Sequence, residues 1–147
     1  MEYIVFFTAI LVLVGSISLA LPSKSSKKIS KVRMEANLLG CKISSTLYGK
    51  NKFKNQHSIT ASYQIKNETN LKDAHFIRDK NQLILYSPVK LKYSDNFDSL
   101  KKQLHDASNS LIEVIFTSSF ILFLWDEKNG IEDLKIILKK LKEINYL

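Results

Sequence analysis

The sequence predicts an α+β protein with a membrane or signal helix at its amino terminus. Three observations predict it. Tyr3 to Leu21 is a run of 19 residues without a charge. Ile131, Leu134, Ile137, Leu138, Leu141 and Ile144 recur at helical spacing near the carboxyl end. Between these lie short segments, Ser58 to Ile65 and Ile112 to Trp125, whose apolar residues alternate or run together as strands do. A length of 147 residues allows one small domain besides such a leader.

Composition narrows the function classes. One cysteine excludes an internal disulfide framework and a CxxC-type zinc site. Only 4 Gly and 2 Pro exclude collagen-like and Gly- or Pro-rich low complexity. Lys outnumbers Arg by 20 to 2, a bias that an AT-rich coding genome explains without a functional cause.

At ~1.5 Å per helical residue, the apolar run spans roughly 28 Å, close to a hydrocarbon core of ~30 Å. A cleaved signal peptide and a retained anchor both fit that length. Ser18 and Ala20 are small residues at the −3 and −1 positions of a cleavage site, but Met1-Glu2 lacks the usual basic n-region. Pro22 to Arg33 carries five positive charges and no negative one. Lys and Arg beside an apolar span tend to stay cytoplasmic, so the sequence predicts a single-pass anchor with its carboxyl-terminal domain in the cytoplasm. A lone cysteine accords with a reducing compartment. The alternative is a secreted protein, in which the sequon Asn67-Glu68-Thr69 becomes usable in a eukaryotic secretory pathway.

The net charge of +8 is unevenly spread. Residues 1–33 hold five positive and one negative charge, residues 34–82 eight and four, and residues 83–147 nine of each. The excess lies in the membrane-proximal half. Lys24, Lys27, Lys28, Lys31 and Arg33 are the expected membrane-surface residues, since juxtamembrane cations attract anionic headgroups at ~1 kcal/mol each. Nucleic acid is not an expected partner. The only basic stretch interleaved with aromatics is Tyr48 to Lys54, which reads as a solvated loop beside a hairpin.

Four regions follow: an anchor or signal at 1–22, a basic amphipathic stalk at 23–40, a β-hairpin and linker at 41–82, and an α+β domain at 83–147. In the stalk, Ile29, Val32, Ala36 and Leu39 form one helical face and Gly40 supplies a stop. A helix lying in the headgroup plane is the other reading of this face. Lys42 to Tyr48 is expected to pair with Ser58 to Ile65 across the polar loop 50–57, and the charged stretch Lys66 to Lys80 reads as a linker or exposed short helix.

Leu83, Leu85, Val89, Leu91 and Tyr93 share one strand parity, while Ile84 and Tyr86 suggest that the first half is covered on both faces. Pro88 removes a ladder donor and marks a bulge or an edge. Ser94-Asp95-Asn96 supplies capping chemistry for a helix over 97–108. Ile112 to Phe116 and Phe120 to Trp125 form the next hairpin. As a second membrane span, residues 111–125 are too short and contain Glu113. Asp126 to Gly130 makes the turn into the last helix, where Glu132 and Asp133 at the start and Lys139, Lys140 and Lys142 near the end suit the helix dipole. The order strand, helix, strand, strand, helix over 83–145 is that of a small ferredoxin-like βαββα unit, to which the hairpin of region 41–82 is extra.

On Leu85 to Leu91, the hairpin Ile112 to Asp126, and Leu134, Leu138 and Leu141, this segment resembles heavy-metal-associated domains, in particular the divergent branch without metal-binding cysteines. The likeness covers about 60 residues. It implies the ferredoxin-like fold and a role accessory to a membrane transport system. A metal-carrying member has two cysteines between first strand and first helix, where Lys90 to Asn96 here holds neither Cys nor His. Cu(I) wants thiolates, so metal carriage is not expected and no site residue carries over.

Other candidates have simpler readings. Cys41 reads as a partly buried thiol at a helix end; Leu38-Leu39-Gly40-Cys41 is no lipoprotein box, because charged residues precede it. His57, His75 and His105 are scattered and read as solvated or structural. Asp95, Asp98, Glu132 and Asp133 read as capping and dipole-matching residues. Without a GxGxxG, P-loop, GxSxG or HExxH pattern, no catalytic, cofactor or metal residue is expected. The run from Phe120 to Trp125 is an aggregation hazard at an edge, so it should be central or covered. The sequence thus points to a non-enzymatic, membrane-anchored protein that contacts lipid and a protein partner.

Overall fold

The computed structural model describes residues 1–46, 52–55, 59 and 61–146. The chain is α+β, with a long apolar amino-terminal helix and a six-stranded antiparallel sheet. Helix α1 spans Glu2–Ala20 and α2 spans Lys24–Leu38. Strands β1 (Lys42–Ser45), β2 (Ala61–Lys66), β3 (Ala74–Asp79) and β4 (Gln82–Ser87) precede α3 (Phe97–His105). Strands β5 (Leu111–Phe116) and β6 (Phe120–Trp125) lead into α4 (Ile131–Lys142). The strand order is β1-β2-β6-β5-β3-β4.

The expected pairing of residues around 42–48 with those around 58–65 holds where it is described: Lys42 faces Gln64 and Ser45 faces Ala61. Tyr48, Ser58, Thr60 and half of loop 50–57 lie outside the described residues. The β1–β2 hairpin joins the sheet by pairing β2 with β6.

The stretch Lys66 to Lys80 requires a correction. It is neither a linker nor a helix but contains β3, an interior strand between β4 and β5. Ala74 and Phe76 alternate into the core, a short pattern obscured by His75, Arg78 and Asp79. The sheet consequently departs from a bare βαββα unit: β4 reaches β5 only through β3. The first strand is also shorter than expected. β4 ends at Ser87, Pro88 has no N–H to continue a ladder, and Val89–Tyr93 winds as a 3-10 turn. Ile84 and Tyr86 are exposed on this edge strand, not covered.

The hairpin and last helix form as expected, with α4 burying Leu134, Ile137, Leu138 and Leu141. Helix α3 begins at Phe97 and stops at His105. Its N-cap, Asn96, makes no capping bond; its side chain donates instead to the Tyr146 carbonyl.

Both faces of β6 are covered. Ile121, Phe123 and Trp125 join the main core with α2, α3 and α4, while Leu122 and Leu124 pack on the other face with Phe53, Ile59, Ile112 and Ile115. Strand alternation thus splits one apolar run between two cores, and β6 lies between β2 and β5. The edge hazard is removed by position.

Candidate functional site

The amino-terminal end begins with α1. None of its side chains is buried, and Leu19 is 90% exposed. Its serine and threonine hydroxyls are satisfied within the helix: Thr8 donates to Ile4 O at 2.9 Å, Ser16 to Val12 O at 2.6 Å and Ser18 to Val14 O at 2.9 Å. A segment suited to hydrocarbon needs just this internal satisfaction, because lipid offers no partners. α1 is the one helix among the described residues long and apolar enough to cross a membrane.

The helix breaks at Leu21, whose backbone is extended (φ −73°, ψ 129°), and Pro22 follows. Ser23 then caps α2, accepting from Ser26 N at 3.1 Å. α2 closes on Gly40 at φ 89°, with Cys41 N donating to Ala36 O and Gly40 N to Asn37 O. These are the bonds of a Schellman motif, in which glycine avoids the Cβ penalty of a left-handed turn.

α2 is not a free stalk. Val32 and Ala36 are buried in the main core. Arg33 grips Glu127 with two parallel bonds, Nε to Oε1 at 2.7 Å and Nη2 to Oε2 at 2.9 Å. The Tyr63 hydroxyl donates to the same Oε1 at 2.6 Å. Burial, reinforced by the Glu127 carboxylate, pushes the Tyr63 phenol well above its ordinary range. Tyr63 itself stacks on Phe123 and meets the edge of Trp125. Lys28 Nζ donates to Lys128 O at 3.1 Å. The five expected membrane-surface residues therefore divide. Lys24, Lys27, Lys28 and Lys31 are all exposed, but Lys28 and the half-buried Arg33 have partners on the domain.

A second polar constellation sits on the other sheet face. Glu113 is fully buried and accepts from Lys54 N at 2.8 Å and Asn55 N at 2.9 Å, with His75 Nε2 at 2.5 Å. Burial opposes its ionisation, but the bonds from His75, Lys54 and Asn55 outweigh it and hold the carboxyl below its ordinary value. The Tyr86 ring lies 4.9 Å from the His75 ring, and Lys54 Nζ stands 5.2 Å from the Tyr86 centroid. Phe53 plugs the neighbouring cluster, so residues 52–55 form a strap over the sheet.

This cluster was not foreseen. The readable signal was Glu113 itself, a charge within an apolar strand. His75 is a buried structural residue, His105 is exposed, and His57 lies outside the described residues. Cys41 is buried, and burial pushes its thiol up to about 11. The acidic residues separate by role. Asp133 accepts from Ser108 Oγ at 2.5 Å and from Ser110 Oγ, tying α4 to the turn before β5. Glu132 pairs with Lys135 on the surface.

The sequon is occupied by its own turn. Asn67 is buried, its Nδ2 donating to Leu71 O at 2.8 Å and Thr117 O at 2.6 Å. Its Oδ1 accepts from the Thr69 N–H and hydroxyl. A sugar on Nδ2 would take at least one of these donors and demand space the fold has filled. Among the described residues, no three His, Cys, Asp or Glu side chains converge as a metal site would require. No protein-family model matches this chain, and neither does any curated protein or solved structure.

Proposed function

We propose that the chain is a single-pass membrane protein that works by contact, not catalysis, holding its α+β domain against the cytoplasmic surface of a membrane. The observation that carries this reading is the wholly exposed α1, apolar around its circumference and internally hydrogen-bonded, set only three residues before a helix docked on the domain. A helix apolar on all sides calls for lipid or for removal. The basic run after it favours a cytoplasmic domain. The chain order β4, α3, β5, β6 and α4 is what supports reading this part as ferredoxin-like; the spatial order departs from it, because β3 and not β6 lies between β4 and β5. A role accessory to membrane transport rests on the resemblance of residues 83–145 alone.

Alkaline carbonate extraction of native membranes and, on a separate untreated sample, protease treatment of sealed vesicles test the reading. The protein should stay in the pellet, and its domain should be digested only when the cytoplasmic side is accessible. Release by carbonate would overturn it.

A specific observation supports a second reading, export with removal of residues 1–20. The break between helices falls immediately after Ala20, so cleavage there would leave the Ser23 cap and all of α2 intact.

A further inference from the structure

Resting on the membrane reading, we propose that the face of α2 turned away from the domain is an anionic-lipid contact formed by Lys24, Lys27, Lys31, Met34 and Leu38. At ~100° per residue, these five fall in one sector about 80° wide, centred on the side away from Val32 and Ala36. All five are exposed, Met34 at 62% and Leu38 at 83%. Glu35 flanks the sector and stands 4.0 Å from Lys31, whose side chain remains 74% exposed.

Lysines interleaved with bare apolar side chains suit a headgroup boundary. The ammonium groups meet anionic headgroups, while a thioether and an isobutyl group enter the acyl edge. Only three residues separate the end of α1 from Lys24, which begins α2, so a membrane-seated α1 delivers this face to the surface. The extended backbone at Leu21 and Ser23 interrupts the helix and lets its axis turn there. Lys28 and Arg33 stand outside the contact because Lys128 and Glu127 hold them. The helix thus lies between bilayer and domain, with one face given to each.

The test uses the full chain in vesicles of phosphatidylcholine, alone or with roughly one-third phosphatidylserine. Met34→Cys carries a polarity-sensitive fluorophore, with buried Cys41 protected from labelling. Emission should shift to the blue only with phosphatidylserine. The shift should vanish in a Lys24/Lys27/Lys31→Gln variant and at roughly 0.5 M salt, yet persist in Lys28→Gln. Identical emission in both vesicle types, with the protein still floating with each, overturns the lipid contact and leaves the anchor standing. A blue shift that ignores lipid charge and the triple variant means that uncharged lipid or a second copy of the chain covers this face, and also overturns it. Failure to float with either vesicle overturns the membrane reading beneath it.

Discussion

α1 and α2 are neighbours along the chain and obey opposite rules. α1 has 19 residues, almost all apolar, and none of its side chains is buried. α2 has 15 residues, mostly polar, yet Val32, Ala36 and the Arg33–Glu127 fork fasten it to the domain. Hydrophobicity alone would have assigned the contacts the wrong way round. An apolar helix with no protein against it calls for a different solvent, whereas a polar helix needs only a narrow stripe to dock.

The sharpest way to break this comparison is a charge placed on each helix. Val32→Asp buries an unpaired carboxylate and should cost about 3–5 kcal/mol, enough to unfold the domain in urea titrations. Val12→Asp should leave the urea midpoint unchanged while weakening membrane retention. Equal effects of the two would erase the distinction.

Next in size is the fork. Arg33→Ala strips charged bonds from a carboxylate that Tyr63 also uses, and a loss of about 1.5–3 kcal/mol is expected. Lys31→Ala, on the free face, should stay within about 0.5 kcal/mol. The same denaturation series measures both.

A third test is acid. The Glu113 carboxyl is depressed in the folded state, so its contribution is fully present above its ordinary value of 4.5 and is lost as pH falls through the lower folded value. Stability should therefore drop below about pH 4.5, and Glu113→Gln should flatten that slope while lowering stability at neutral pH. Deleting α1 should not alter the slope. An unchanged acid limb in Glu113→Gln would mean that the strap is held by something else.

The smallest expected effect concerns Cys41, just past the end of α2. Its thiol is pushed up from 9.0 to about 11, so a thiolate-directed reagent near pH 8 should react roughly a hundredfold more slowly than with the unfolded chain. Reaction at the unfolded rate would mean that the end of α2 opens freely.

Much of the fold was legible where one period dominated. α4 has five apolar positions on one face, and the β5–β6 hairpin has few charges, so pattern and structure agree there. β3 was hidden because His75, Arg78 and Asp79 supply half of a six-residue strand, and the partners of His75 and Arg78 lie 30 to 38 residues away. Such partners are invisible to local spacing. The continuation of β4 through Tyr93 failed for a local reason: parity continued past Pro88 although the ladder could not. Along α2, the positive charges were readable but their division was not. Nothing near Lys28 or Arg33 announces that Lys128 and Glu127, about 100 residues on, will claim them.

The most direct measurement is the intact mass of the protein recovered from the membranes of its own cells. Retention of α1 predicts a membrane-recovered chain that still contains Tyr3 to Leu21. A mature chain beginning at Leu21 and found in the soluble fraction would contradict the account.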